Sequence, residues 1–214
     1  MNSNARKRTV STILSALIVL TVICCISCSE QAKPQSKEIV LLGPQNEQGW
    51  VHVGEGGFNF ADGVVTSYGG HGVLVYTEKA FSDFRLKLEF KQDTLKADSG
   101  VFLRIPYPKG EEWLHGARNW YQVELGPVMN DSNQGMAAID NLAVPIDDVP
   151  VKPAGQWNDM EVSCIGRDYK VYLNGQLVTT FTGDDRSKGY IAVQNHDKTS
   201  IAHFRNIRAV QVQP

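Results

Sequence analysis

Lys170-Val171-Tyr172-Leu173-Asn174-Gly175-Gln176-Leu177-Val178-Thr179-Thr180-Phe181 decides the fold. Two runs rich in β-branched and aromatic residues flank Asn174-Gly175. That dipeptide favours the positive φ angles of a two-residue type I′ turn, whose twist matches the strands it joins. The stretch therefore reads as a β-hairpin. Outward from it the same alternation recurs, in Phe84-Arg85-Leu86-Lys87-Leu88-Glu89-Phe90, Val101 to Ile105, Tyr121 to Leu125 and Met160 to Ile165. It appears again in Ile191 to Val193 and Ile207 to Val212, with Gly, Asn and Asp between runs. No long stretch keeps a helical period, so the body reads as all-β, a sandwich or jelly roll in a single domain. The stretch from Val128 to Trp157 is the one long irregular connection, and long connections of this kind are often functional.

The N-terminus has a different character. Arg6, Lys7 and Arg8 precede an apolar stretch from Ile13 to Ile26, which breaks into Ser27-Cys28-Ser29-Glu30. A positive n-region, a short apolar core and small residues read as a secretory signal peptide over 1–28. Cys25-Ile26-Ser27-Cys28 resembles a bacterial lipobox, with Cys25 where Leu or Val is usual and Cys28 as the lipidated residue. A single N-terminal membrane helix is the alternative, disfavoured by the short core. Residues 29–37 form a polar tether, and 38–214 the folded domain. The expected location is the bacterial cell envelope, periplasmic or outer-membrane, with membrane contact through the lipid anchor only.

Of the four cysteines, Cys24, Cys25 and Cys28 lie in that leader, leaving Cys164 alone in the body. The domain thus has no internal disulfide and no Cys-rich zinc site. Cys164 sits in an alternating strand as a small buried hydrophobe. A formal net charge of −2 with dispersed basic residues excludes a nucleic-acid footprint.

Strand parity assigns faces. Tyr121, Val123 and Leu125 share a core face, opposite Trp120, Gln122 and Glu124. Phe102 and Arg104 lie opposite Val101 and Leu103, and Arg85, Lys87 and Glu89 opposite Phe84, Leu86, Leu88 and Phe90. In Gly189-Tyr190-Ile191-Ala192-Val193-Gln194-Asn195-His196-Asp197, Ile191 and Val193 face one way; Tyr190, Ala192, Gln194 and His196 face the other. Asn195 and Asp197, by the same parity, fix the strand end. Aromatic rings mixed with carboxylates, amides, an Arg and a His suit a sugar, whose C–H faces stack on rings while hydroxyls pair with amides and charges. A polar outer face with accidental aromatics is the bland alternative.

Several segments together resemble the 3-keto-disaccharide hydrolase family of bacterial lipoproteins. They are Gly69-Gly70-His71-Gly72-Val73-Leu74-Val75-Tyr76-Thr77, "FSDFRLKLEFK" (81–91), "DSGVFLR" (98–104), "WYQVEL" (120–125), "PAGQWNDMEV" (153–162), "YLNGQ" (172–176), "GYIAVQNHD" (189–197) and "FRNIRAV" (204–210). The resemblance implies a concanavalin-like jelly roll whose concave sheet holds the ligand. It also implies cleavage of glycosides already oxidised at C3, by C2 deprotonation, elimination of the C1 substituent and water addition. Such a route needs a base, a donor for the enolate oxygen and an acid.

On this reading His196 is the base or proton shuttle, and Glu124 the rival base or the acid. Arg104 holds Glu124 or stabilises developing charge. Gln194, Gln122 and Glu89 orient hydroxyls, Trp120 is a stacking edge, and His71 lines the site. Family members often carry Tyr-Glu-Val-Gln-Ile followed by Asp. Here the order is Tyr121-Gln122-Val123-Glu124-Leu125, then Gly126-Pro127, which moves the carboxylate about 6.8 Å along the strand.

No cofactor is expected, although His71, His196 and Glu124 remain an open donor set for zinc or manganese. The loop carboxylates Asp131, Asp140, Asp147 and Asp148 lack EF-hand spacing and read as solvated. His115 reads as a surface loop residue, and His52 and His203 as ordinary strand or edge residues. An ordinary glycosidase is disfavoured, because no pair of carboxylates stands out on adjacent strands. The expected partner is a 3-keto-glycoside or another carbohydrate. The alternative to the enzyme is a non-catalytic carbohydrate-binding lipoprotein, using the same concave face.

Overall fold

A computed structural model describes residues 37–212, apart from 111–113, 117–119, 130 and 184–185. The expected signal peptide, Cys28 and all of the tether but Lys37 lie outside the described residues. Among the described residues no helix is long and apolar enough to cross a membrane.

Alternation produces strands almost wherever the sequence shows it. In chain order they are β1 (Glu38–Leu42), β2 (Trp50–Gly54), β3 (Gly57–Ala61), β4 (Val64–Tyr68), β5 (Gly72–Phe81), β6 (Phe84–Gln92) and β7 (Gly100–Ile105). There follow β8 (Tyr121–Glu124), β9 (Asn158–Ile165), β10 (Asp168–Leu173), β11 (Gln176–Thr182), β12 (Gly189–Asn195) and β13 (Ala202–Gln211). The first five strands carry weaker alternation and emerge only from their pairing. The hairpin forms as its dipeptide requires: Asn174 and Gly175 both have positive φ, 48° and 86°, and Leu173 pairs with Gln176.

Two antiparallel sheets pack face to face. One runs β11-β10-β9-β6-β13-β4-β3, with β1 also on β13; the other runs β2-β5-β12-β7-β8. Leu86, Phe90, Met160, Val162, Val171 and Phe204 of the large sheet meet Leu74, Val101, Leu103, Val123, Ile191 and Val193 of the small one in a common core. Cys164 is fully buried there, and burial pushes its thiol well up from the ordinary range.

The outer face of the small sheet carries a second apolar cluster of Val73, Val75, Phe102, Ile105, Trp120 and Ala192, with Leu114 against it. The long connection after β8 is not a solvated loop. Met136, Ala137, Ala138 and Ile139 are buried, and the segment runs along the free edge of β8: Glu124 N–H donates to Ala138 O (2.9 Å), Ala137 N–H to Glu124 O (2.8 Å) and Asp140 N–H to Gln122 O (3.0 Å). Its far side is tied to β11, where Thr179 Oγ1 donates to Ala137 O (2.7 Å) and Ile146 N–H to Val178 O (2.8 Å). The segment thereby covers the β8 edge and gives the Val178 carbonyl of β11 a donor.

Arg104 corrects the parity reading. It adopts φ 52°, and the register of β7 against β12 shifts beside it. Such a bulge inserts one residue, so two consecutive side chains face the same way. Leu103 and Arg104 both enter the interior, while Phe102 and Ile105 share the outer face. The guanidinium donates to Ser82 O (2.8 Å), Gly166 O (2.6 Å), Arg186 O (2.8 Å), Cys164 O (3.0 Å), Tyr169 Oη (3.0 Å) and Asp83 Oδ1 (3.1 Å). Gly189 permits the close approach, since a Cβ there would collide with the Arg104 carbonyl. Arg104 is therefore a tie between the sheets and does not reach the ligand face or Glu124. Replacing it with Met removes the counter-charge of Asp83 and leaves several carbonyls without their donor, and the expected loss is about 3–5 kcal/mol in denaturant unfolding. Arg104→Lys recovers little of this, because a point cation cannot serve a planar array of acceptors.

Candidate functional site

The outer face of the small sheet opens into a groove of about 690 Å³ lined by Gly54, Glu55, His71, Val73, Phe102, Leu114, His115, Gln122, Asp140 and Gln194. It shares Gln122, Asp140 and Gln194 with a smaller recess of about 290 Å³, which adds Asp98, Glu124, Pro127, Met129, Gln134 and His196. Together these suit a ligand of one or two sugar rings. A wider depression on the outer face of the large sheet is lined by Arg85, Lys87, Glu89, Glu161, Ser163 and Lys170 among others. Its paired charges, such as Lys87 with Glu161 at 3.3 Å, make it an ordinary solvated face.

Parity delivers Gln122 and Glu124 of β8 and Gln194 of β12 to the floor. Gln122 Nε2 donates to Gln194 Oε1 at 3.0 Å, which fixes both amides. Gly100 makes room for this pair; a Cβ there would collide with the Gln122 amide. Trp120 also lies on this side but is 95% buried, packed edge-to-face on Phe102 at 5.6 Å. It supports the floor and is not a stacking edge. His71 stands in the wall, its ring centroid 6.4 Å from that of His196, and His115 forms an exposed rim.

Glu89 is the second correction. It lies on the outer face of the large sheet, held by Arg205 and by Asn206. Parity identifies the face of a strand but not the sheet that the strand joins. Asn206, at φ 52°, sits where the pairing of β13 with β6 shifts register, and this lets it and Arg205 reach the same carboxylate.

His196 stands where β12 ends. Its Nδ1 is 2.9 Å from Asp197 Oδ2, and its Nε2 is 3.6 Å from Asp98 Oδ2. The sequence reading missed Asp98 and Asp140 as neighbours of the site, because each arrives from a connecting segment whose course only packing defines. Asp98 N–H donates to Ser200 Oγ at 2.9 Å, and Asp98 Oδ1 is buried without a hydrogen-bond partner among the described residues. Asn195 is fully buried and donates to Tyr68 O at 2.7 Å, holding the strand end as parity suggested.

Glu124 is 93% buried. Desolvation first, then the charges of Asp140 and Asp98, push its carboxyl up to about 9, against a weaker lowering by the Gln122 amide. Burial also raises Asp98 and Asp140. Glu124 is thus a neutral acid at pH 7, able to donate a proton. Among the described residues no three or more His, Cys, Asp or Glu side chains are grouped to hold a metal ion.

The sign of the linkage is definite. Glu124 stays protonated in the folded chain well above the pH at which the unfolded chain releases its proton, so folding stability falls as pH rises from about 4.5 to about 9. Thermal melts across that window should decline in the wild type. In Glu124→Gln the slope should flatten; an unchanged slope contradicts the burial argument.

Residues 38–210 match the model of the 3-keto-alpha-glucoside-1,2-lyase-like domain. No curated protein matches the chain. Among solved structures, a candidate glycosyl hydrolase from Parabacteroides distasonis ATCC 8503 is similar at 23% identity and TM-score 0.66, over 83% of this chain and all of that one. A second from the same organism is similar at 19% identity and TM-score 0.68, over 82% of this chain and 94% of its own. The carbohydrate-binding module CBM66 from Bacillus subtilis follows at 15% identity and TM-score 0.56, over 76% and 96%. At these identities the likeness shows a shared jelly-roll fold.

Proposed function

The chain belongs to the 3-keto-alpha-glucoside-1,2-lyase-like family, and from that premise we propose that it cleaves 3-keto-glycosides by elimination and hydration. The observation that carries this reading is the pairing, in one recess, of His196 with a Glu124 carboxyl raised to about 9. A base and a protonated acid facing one recess are what the elimination needs.

His196 Nε2 removes the C2 proton, which the C3 ketone has acidified. The electron pair moves to the C3 oxygen as an enolate, and the Gln194 amide offers that oxygen a hydrogen-bond donor. Collapse of the enolate forms the C1–C2 double bond and breaks the C1–O bond. Glu124 gives its proton to the departing oxygen. Water then adds at C1, with Glu124 taking a proton from it and His196 returning one to C2. The net change is hydrolysis, and every proton transfer has a named side chain.

The expected cellular setting is the bacterial envelope, with the Cys28 lipid as the membrane contact. Glu124 stands where the family pattern has Gln, and Gln122 where it has Glu. That exchange favours one second reading, a module that binds carbohydrate without turnover.

Residues 30–214, incubated with 3-keto-trehalose and other 3-keto-glucosides and followed by NMR, should release free sugar, and unoxidised disaccharides should not react. His196→Ala and Glu124→Gln should each lower kcat about 10²–10⁴-fold. Wild-type kcat should fall as pH rises through about 9, where the acid loses its proton. Saturable spectral shifts without cleavage establish the binding module in place of the enzyme.

A further inference from the structure

The turn after β12 contains more than a strand terminus. Asp197 divides its carboxylate between two tasks. Its Oδ1 accepts from Thr199 N–H (2.6 Å), Thr199 Oγ1 (2.7 Å) and Ser200 N–H (2.9 Å), a closed Asx-type turn. Among the described residues its Oδ2 takes Ser200 Oγ (2.8 Å) and the His196 ring at Nδ1 (2.9 Å). Ser200 Oγ in turn accepts the Asp98 N–H on the other side of the imidazole. One hydroxyl therefore ties the Asp197 carboxylate to the backbone of Asp98, whose own carboxylate flanks His196 at Nε2.

We propose that Asp197 is the positioning residue of His196: by accepting the Nδ1 proton it fixes the tautomer and ring orientation that leave the Nε2 lone pair facing the recess. This rests on the base role given to His196 above and adds a residue to it. A neutral imidazole carries one proton, and whichever nitrogen donates leaves the other as acceptor. Asp197 Oδ2, at 2.9 Å, is within hydrogen-bond reach of Nδ1, whereas Asp98 Oδ2, at 3.6 Å, lies beyond it from Nε2, and this settles the choice. The turn donors hold Asp197 in place whatever the ligand state, so the base is oriented before substrate arrives. Consistent with this, the His196 hydrogen bond, followed by Thr199 and Ser200, holds the Asp197 carboxyl well below the usual carboxylate range. The other charged or titratable groups facing the ring are Asp98 from the segment before β7 and His71 from the turn before β5, with Glu124 of β8 in the same recess.

The discriminating variant is Asp197→Asn. The amide oxygen can keep the Oδ1 contacts of the turn, while the amide nitrogen takes the Oδ2 place and donates to Nδ1. The ring proton must then move to Nε2, and the base is lost although the fold is kept. Long-range proton–nitrogen NMR spectra of ¹⁵N-His-labelled protein read the tautomer directly, without substrate. The wild type should show His196 protonated at Nδ1 in its neutral form, and Asp197→Asn should show Nε2. Thr199→Ala, which removes one Oδ1 donor and leaves Oδ2 untouched, should keep the wild-type tautomer. On a 3-keto-glycoside, Asp197→Asn should lower kcat about 10²-fold with KM nearly unchanged. A wild-type His196 protonated at Nε2, or a tautomer unmoved in a folded Asp197→Asn, overturns the proposal. A wild type that shows the Nδ1 tautomer but cleaves no keto-glycoside overturns the base role and leaves the positioning contact standing.

Discussion

The inside–outside alternation of the small sheet is the constraint on which the cleft depends. Outside the bulge at Arg104, each of β5, β12, β7 and β8 must send every second side chain into the core that it shares with the large sheet. The alternate positions are then forced onto the outer face. Val73, Ala192, Phe102 and Trp120 make part of that face apolar. Gln122, Glu124 and Gln194 occupy the remainder and are as well buried as core residues, although they lie on the outside of a sheet. The segment after β8 causes this. By pairing with the β8 edge it walls the polar floor from solvent and brings Asp140 toward it.

That enclosure is unfavourable for folding and useful for chemistry. A carboxyl in water would be ionised at pH 7, whereas Glu124, buried beside Asp98 and Asp140, keeps its proton. Asp98 carries a buried oxygen with no partner among the described residues, a further cost accepted at the same place. Sites that hold such groups trade stability for function. The opposite treatment of charge is seen between the sheets. There Arg104 is equally buried but surrounded by carbonyls, Tyr169 and Asp83, so its burial is compensated and serves cohesion.

Much of this was legible in the sequence. The Asn174-Gly175 hairpin, the strands from β6 onward, and the placement of Gln122, Glu124 and Gln194 on one face all follow from local periodicity and turn chemistry. Three features were not. Arg104 enters the core through a bulge set by a positive φ that no pattern of residue types announces. Glu89 obeys its parity yet belongs to the other sheet, and Trp120 reaches the right side only to be covered. Asp98 and Asp140 sit in segments with no period to read, so their neighbours were invisible, and parity turned Asp197 away from His196 although the turn brings its carboxylate back to the ring.

The sequence by itself determined the fold class and the face of each regular strand, because alternation and turn preference act over a few residues. Tertiary structure alone decided which faces meet, where the bulges fall and which carboxylates lose their water. Those outcomes rest on contacts between residues far apart in the chain. His196 illustrates the division: its strand made it a candidate, but Asp197 at 2.9 Å and Asp98 at 3.6 Å came from the folding of a turn and the approach of another strand's entry.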